Sequence, residues 1–178
     1  MGDAPKKIGF LADTHIRKND ASDLPDGVLK ALKGVDVIVH LGDIGKKACV
    51  DRLAEVAPVM VQTEDRKGYA LVGSKNPGVY ALGGVGLTFN LAQPDKKIAV
   101  SPEGITFADD MGKLLLKRFK EEVRVVAFAA THAPMQQTYD GVLFLNPGSP
   151  TLPMTAPGTV AILDLGKKAP VAKIVSIP

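Results

Sequence analysis

The chain has 178 residues, of which 46% are hydrophobic and 23% charged, and this length and composition favour a single domain over residues 1–178. The 22 Lys and Arg residues exceed the 19 Asp and Glu residues by only three and are scattered, so neither nucleic acid nor a membrane is predicted as a partner. The single cysteine, Cys49, excludes an internal disulfide and a cysteine-based zinc site. Lys6 and Lys7 precede an apolar run too short for a signal peptide, and no stretch reaches the length of a membrane span, so we expect a cytoplasmic protein.

The first part of the chain alternates short apolar runs with helix-like segments. The predicted strands cover 8–12, 35–41 and 58–61, and the predicted helices between them cover 25–33 and 46–56. This order is typical of a sheet built from β-α-β units. The three strands are therefore predicted to be parallel. Their carboxyl ends would share one edge of the sheet, where open α/β sheets bind ligands.

The second half of the chain has a different pattern. Two apolar runs, 79–82 and 86–89, flank residues 83–85, which contain two glycines, and the runs are predicted to form a hairpin. A helix is predicted over 107–122 and a strand over 123–129. Three further strands are predicted over 142–145, 159–163 and 171–177. This order fits two sheets packed together with helices outside.

Side chains that can bind metal ions follow the predicted strands. Asp13 and His15 come after the first strand, and residues i and i+2 of an extended segment project to one side, so this carboxylate and imidazole can bind one ion. Gly42 and Asp43 follow the second strand, and His132 follows a later apolar run. Each motif taken alone is more typical of a polar turn. Their coincidence at three strand ends favours a site for Mn²⁺, Fe²⁺ or Zn²⁺.

These motifs belong to an ordered series that extends along nearly the whole chain. The series comprises Asp13-Thr14-His15, Gly42-Asp43, Pro58-Val59-Met60-Val61, Thr131-His132 and Asn146-Pro147-Gly148-Ser149. On these residues the chain resembles the calcineurin-like metallophosphoesterases, in particular the small bacterial and archaeal phosphodiesterases, a branch that also includes the small retromer subunit. The resemblance implies an α/β fold: a four-layer αββα sandwich of two mixed sheets flanked by helices.

The resemblance also implies a set of metal ligands. Family members hold two divalent ions that are bridged by the aspartate of the Gly-Asp motif. The positions that match the first ion's ligands hold Asp13, His15, Asp43 and His132, so every required ligand type is present. One well-held ion is therefore expected. Mn²⁺ is the ion that we favour, with Zn²⁺, Fe²⁺ and Mg²⁺ as alternatives.

The positions that match the second ion's ligands have lost most of their donor atoms. They hold Asp43, Glu64, Phe89 and Ala130, where relatives have an aspartate, an asparagine and two histidines. Because Phe89 and Ala130 offer no lone pair, a second ion would depend on Asp43 and Glu64. A shift of the match by one residue would place Thr63 at the position of Glu64 and weaken the site further. The second ion is expected to be weakly held or absent.

Loss of these two imidazoles leaves two functions open. The first is a metal-dependent phosphoesterase that hydrolyses a small phosphodiester with a metal-bound water at a mainly mononuclear site. Its turnover is expected to be weak, because one ion cannot clamp the attacking and leaving oxygens as a pair of ions can. The alternative is a catalytically inactive binding or scaffold protein with the same fold. We prefer the enzyme because all four first-site ligands are retained, and either function is compatible with a homo-oligomer or a protein partner.

Other polar residues have both a functional and a structural interpretation. Arg17, Lys18 and Arg66 lie near the expected edge of the sheet and are candidates for phosphate binding, although isolated loop cations are usually solvated. His40 lies within an apolar run and is interpreted as a buried histidine bonded to a neighbour. Residues 146–149 are interpreted as a structural turn beneath the site.

Overall fold

The computed structural model describes residues 5–61, 69–73, 80–84, 98–101, 104–107, 125–154, 156–165 and 169–178. Strands and helices alternate at its start: β1 (Lys7–Leu11), α1 (Asp26–Ala31), β2 (Val37–His40), α2 (Ala48–Ala54) and β3 (Val59–Val61). The later described strands are β4 (Tyr69–Gly73), β5 (Tyr80–Gly84), β6 (Ile98–Ser101), β7 (Gly104–Phe107), β8 (Val125–Ala127), β9 (Pro134–Tyr139), β10 (Val142–Pro147), β11 (Gly158–Asp164) and β12 (Val171–Ile177). Neither described helix is long and apolar enough to cross a membrane.

The first sheet has five strands in the order β12-β11-β1-β2-β3. Strands β1, β2 and β3 are parallel, as the β-α-β-α-β pattern predicts, while β11 and β12 add antiparallel partners. The register pairs Phe10 with Val39 and Leu11 with His40. Strands β1 and β2 therefore end side by side, and the loops that follow them leave the sheet at the same edge.

The second sheet is also mixed. In the order β8-β10-β9, strand β8 is parallel to β10 and β9 is antiparallel to it. Strand β4 lies beside β8 and pairs with β5, and strands β6 and β7 form a separate antiparallel pair. The two mixed sheets confirm the predicted α/β sandwich of the metallophosphoesterase fold.

Apolar side chains fill the space on both faces of the first sheet. Between the sheets, Phe10 and Ala12 pack in one cluster with Ala127 and Leu145 of the second sheet. On the opposite face, Val28 of α1 and Leu53 of α2 are fully buried against the first sheet. The described residues therefore form three successive layers: helices, first sheet and second sheet.

Two predictions for the second half need correction. Strand β5 pairs with β4, which precedes it, and continues through Gly83 and Gly84, so these glycines lie in a strand and not in the predicted turn. Tyr69–Gly73 supplies an apolar partner, with Leu71 opposite Leu82; the predicted partner at 86–89 lies outside the described residues. The predicted helix over 107–122 cannot begin at 107, since that residue ends β7; the rest of that segment also lies outside the described residues.

Candidate metal centre

The loops after β1 and β2 continue side by side beyond the end of the sheet. The backbone N–H of Asp13 donates to the carbonyl of Gly42 at 3.0 Å, and the N–H of His15 donates to the carbonyl of Asp43 at 2.9 Å. The two loops are about thirty positions apart in the sequence. They are neighbours in the structure because the parallel strands before them end at one edge of the sheet.

A close approach between Ile16 and Gly45 holds the two loops together farther from the sheet. These residues form an isolated parallel bridge. A Cβ atom at Gly45 would lie 2.3 Å from the carbonyl oxygen of Ile16, and the φ angle of Gly45 is 87°. Glycine is therefore required there, because any side chain would force the loops apart.

Each of the four candidate ligands has left-handed backbone. The φ angle is 51° at Asp13, 43° at His15, 51° at Asp43 and 56° at His132. Such angles are uncommon outside glycine, although Asp and His adopt them more readily than most residues. Strained backbone costs on the order of 1–3 kcal/mol per residue and is concentrated at functional sites, where the surrounding structure holds it in place. This coincidence favours a functional site over ordinary turns.

The structure brings the side chains of these loops together. Ligand atoms of Asp13, His15 and His132 all lie within 4.8 Å of one another, and the two imidazole rings are stacked with their centroids 5.2 Å apart. Asp43 lies at the edge of this group, with its Oδ2 4.0 Å from Nε2 of His15. The structure therefore gathers one carboxylate and two imidazoles, with the second carboxylate beside them and outside the group; these donor types fit Mn²⁺, Fe²⁺ or Zn²⁺.

The burial of these groups differs from one side of the cluster to the other. Asp13 is 1% exposed and lies at the floor. The side chains of His15 and Asp43 are 36% and 44% exposed. The cluster is therefore open to solvent on the side of His15 and Asp43, where a substrate could reach it.

His132 is oriented by the segment that follows β10. Its Nδ1 lies 2.7 Å from the carbonyl oxygen of Leu152, which can only accept, so Nδ1 carries a proton and Nε2 is the nitrogen that holds the lone pair when the imidazole is neutral. The carbonyl of His132 in turn accepts from the N–H of Met154 at 2.8 Å. A hydrogen bond of this kind on the distal nitrogen is the usual partner of a metal-binding histidine.

Burial is the largest of the effects on the pKa of Asp13. Loss of solvent raises the pKa of this carboxyl from 3.8 to about 6, although the charge of His132 and the N–H of Ala130 both act to lower it, and Asp43 raises it slightly further. The N–H of Ala130 donates to Oδ2 of Asp13 at 3.0 Å. A buried carboxylate that lacks a full counter-charge is a group that a divalent cation would stabilise.

The surroundings of His15 favour its neutral form. Partial burial lowers the pKa of its imidazole, Asp43 opposes this effect, and the charges of His132 and Arg17 lower the pKa further. A neutral imidazole is the form that binds metal. Arg17 itself is exposed and lies close enough to affect His15, so it remains a candidate for contact with a phosphate.

Polar groups at the end of β10 and in the turn that follows it support the ligand loops from beneath. The buried hydroxyl of Ser149 donates to the carbonyl of Asp13 at 2.8 Å and accepts from the N–H of Leu152 at 2.9 Å. Asn146 donates to the hydroxyl of Thr131 at 2.9 Å. These bonds join residues 146–152 to both the first loop and the loop that carries His132, which agrees with a structural role for residues 146–149. The predicted turn is shorter than expected, because Asn146 and Pro147 end β10 and only Gly148 and Ser149 lie beyond it.

The positions assigned to a second ion are only partly described. Ala130 lies beside the cluster, and its contribution is a backbone N–H to Asp13 and not a ligand atom. Glu64, Phe89 and Arg66 lie outside the described residues. The second site and the arginine candidate at 66 therefore remain predictions from the sequence.

Two supporting groups were not identified from the sequence. The backbone carbonyl of Leu152 has no signature in the sequence, because a residue of any type carries such a carbonyl. The hydroxyl of Thr14 lies between two candidate ligands and bonds to the loop of Asp43, and the motif Asp13-Thr14-His15 contained it without indicating this role.

Comparisons with known proteins agree with this geometry. A family model described as the calcineurin-like phosphoesterase superfamily domain matches residues 7–168. A probable metallophosphoesterase from Methanocaldococcus jannaschii is 32% identical over 147 residues, which cover 82% of this chain and 69% of that protein.

Solved structures show the same fold. A novel archaeal phosphodiesterase superposes with a TM-score of 0.59 at 16% identity, covering 95% of this chain and 99% of that chain. Vps29 of Entamoeba histolytica, complexed with Zn²⁺, superposes with a TM-score of 0.56 at 14% identity, covering 97% of this chain and 99% of that chain. The matched family domain and the archaeal relative confirm the resemblance drawn from the motifs: this chain belongs to the calcineurin-like phosphoesterase superfamily.

Proposed function

We propose that this protein is a metal-dependent phosphoesterase that hydrolyses a small phosphodiester, with one divalent ion held by Asp13, His15, Asp43 and His132. The observation that carries the proposal is the convergence of Asp13, His15 and His132 within 4.8 Å, with Asp43 beside them. We propose that the ion is Mn²⁺ and that the protein is located in the cytoplasm.

The chain's own groups supply the conditions for this reaction. When bound, a divalent ion provides a Lewis acid that polarises a phosphoryl oxygen and makes water more acidic. Asp13 and Asp43 offer carboxylate oxygens to hold the ion, and His15 and His132 offer imidazole nitrogens, with the lowered pKa of His15 favouring its neutral form. The open side of the cluster at His15 and Asp43 leaves room for the phosphoester, and Arg17 lies near enough to contact its charge.

Weak turnover follows from Ala130. The resemblance assigns this residue to a position where family members have a histidine, and its methyl group has no lone pair. A site with one ion lacks the pair that stabilises both the attacking and the leaving oxygen in two-metal enzymes. We therefore propose a mainly mononuclear site with slow or narrow activity.

A second candidate function is a non-catalytic binding protein with this fold. The same substitution at Ala130 supports it, and so does the likeness in fold to Vps29 of Entamoeba histolytica, a protein whose name refers to vacuolar sorting. In that case the partner would be a protein, and the ion would have a structural role.

The experiment that separates the two functions combines metal content with turnover. The purified protein is loaded with Mn²⁺, its metal content is measured, and hydrolysis of bis(p-nitrophenyl) phosphate, an activated phosphodiester, is followed. Asp43→Asn removes a candidate ligand. Asp51→Asn is the matched control, because Asp51 is an exposed carboxylate on α2 that pairs with Lys47.

The proposed enzyme predicts about one ion per chain, slow turnover, loss of turnover in Asp43→Asn and no change in Asp51→Asn. Bound metal without turnover on any phosphoester would support the binding protein. Absence of bound metal would contradict both versions of the site.

A further inference from the structure

His40 is fully buried at the end of β2 and bonds to groups in both ligand loops. Its Nδ1 lies 3.2 Å from the backbone nitrogen of Gly42, and its Nε2 lies 2.8 Å from the hydroxyl oxygen of Thr14. The Thr14 hydroxyl donates to the carbonyl of Ile44 at 2.9 Å. Gly42 and Ile44 flank Asp43, while Thr14 lies between Asp13 and His15.

The partners of His40 define its protonation. The N–H of Gly42 can only donate, so Nδ1 must accept and Nε2 must carry the proton. Nε2–H then donates to Thr14, whose own hydrogen is used at Ile44. One directed chain of hydrogen bonds therefore leaves the Asp43 loop at Gly42, passes through His40 and Thr14, and returns to the Asp43 loop at Ile44.

Neither the protonated imidazole nor its other tautomer would fit this chain of hydrogen bonds. Complete burial lowers the pKa of His40 to about 3, and a proton on Nδ1 would oppose the N–H of Gly42. The sulfur of Cys49 lies 3.6 Å from the same Thr14 hydroxyl, so the chain is enclosed on that side as well. A buried network in which every group has a partner is rigid, and loss of one member leaves others unpaired.

We propose that His40 is a positioning residue: through Gly42, Thr14 and Ile44 it sets the position of Asp43 relative to Asp13 and His15, and so sets the affinity of the metal site. This inference rests on the metal site proposed above. The left-handed backbone of Asp13, His15 and Asp43 makes such support necessary, because strained loops keep their geometry only when neighbouring bonds hold it.

The test measures Mn²⁺ affinity by isothermal titration calorimetry, together with the thermal midpoint of the metal-free protein. Thr14→Val removes the hydroxyl at nearly constant volume, and Thr14→Ser retains it. His40→Asn keeps an acceptor near Nδ1 and loses the donor to Thr14. Ile8→Val is the control, since Ile8 is buried near the opposite end of β1 from the site.

A positioning role predicts that Thr14→Val and His40→Asn weaken Mn²⁺ binding by about 10–100-fold, as the loss of groups that orient metal ligands typically does. Thr14→Ser should recover most of the affinity lost in Thr14→Val. Ile8→Val should lower the thermal midpoint and leave the affinity unchanged. If His40→Asn does not fold, the two Thr14 variants decide.

Two results would overturn the inference. The first is wild-type affinity in folded Thr14→Val, which would leave the chain of hydrogen bonds a role in stability only. The second is an equal loss of affinity in Ile8→Val, which would trace the effect to general destabilisation. Failure of the wild-type protein to bind Mn²⁺ is a separate outcome, because it would refute the metal site itself and the inference with it.

Discussion

Asp13→Asn is expected to stabilise the metal-free protein while it removes a metal ligand. Burial raises the pKa of Asp13 from 3.8 to about 6, so the carboxyl binds its proton more tightly in the folded protein than in the unfolded chain. Ionisation therefore destabilises the fold as the pH rises through this interval. Asparagine has a similar shape, can still accept from the N–H of Ala130, and carries no charge.

The size of the effect follows from the two pKa values. Their difference corresponds to a penalty of about 3 kcal/mol at pH 7.5, where the carboxylate is ionised in both states, and of about half that at pH 5.0. These values are upper limits, because the buried amide has a desolvation cost of its own. For a chain of this length, about 3 kcal/mol raises the thermal midpoint by roughly 6–12 °C.

The assay is thermal and urea denaturation in EDTA, at pH 7.5 and pH 5.0. Comparison of wild type and variant at each pH cancels the contribution of His40, which both proteins share. Asp36→Asn is a control that should change the stability in the opposite direction. The N–H groups of Lys7 and Lys6 lower the pKa of the exposed carboxyl of Asp36, so loss of that carboxyl should destabilise the fold slightly. A less stable Asp13→Asn at pH 7.5, or a gain that does not depend on pH, would refute the reasoning.

Three further predictions concern the same site. Mn²⁺ affinity, measured by titration calorimetry, should rise at least tenfold between pH 5 and pH 7, because displacing the proton of Asp13, whose pKa is about 6, accounts for about tenfold by itself and the imidazole ligands bind metal only in their neutral form; a flat profile would contradict the assignment of this ligand. Ser149→Ala should lower the free energy of unfolding in urea by about 1–3 kcal/mol, since the carbonyl of Asp13 loses its shorter hydrogen bond and the N–H of Leu152 loses its partner; unchanged stability would argue against that support. Phe89→His combined with Ala130→His should raise the Mn²⁺ content toward two ions per chain, and an unchanged content would show that those positions are wrongly assigned.

Local pattern was sufficient to predict the part of the fold that builds the site. The apolar runs 8–12 and 35–41 are short and separated by a helical segment, and this pattern predicts the parallel strands that the structure shows, ending side by side at Leu11 and His40. The positions of Asp13, His15 and Asp43 followed from that topology. His132 was grouped with them only because it also follows an apolar run; the resemblance supported that grouping, since the placement depends on packing between two sheets.

Other features depend on contacts that a sequence does not reveal. Gly83 and Gly84 form a strand because Tyr69–Gly73 pairs with them, and turn propensity alone favoured a hairpin there. The sequence pattern does not predict strand β9, because the exposed side of that strand is polar. Asp140-Gly141, with φ angles of 48° and 76°, is nevertheless a hairpin signal. The orientation of His132 by a backbone carbonyl has no sequence signature.

The most direct test of the metal site is the anomalous difference density of a crystal soaked in Mn²⁺. We expect one strong peak per chain, within bonding distance of Asp13, His15, Asp43 and His132. A peak elsewhere, or none at these four side chains, would contradict the central claim.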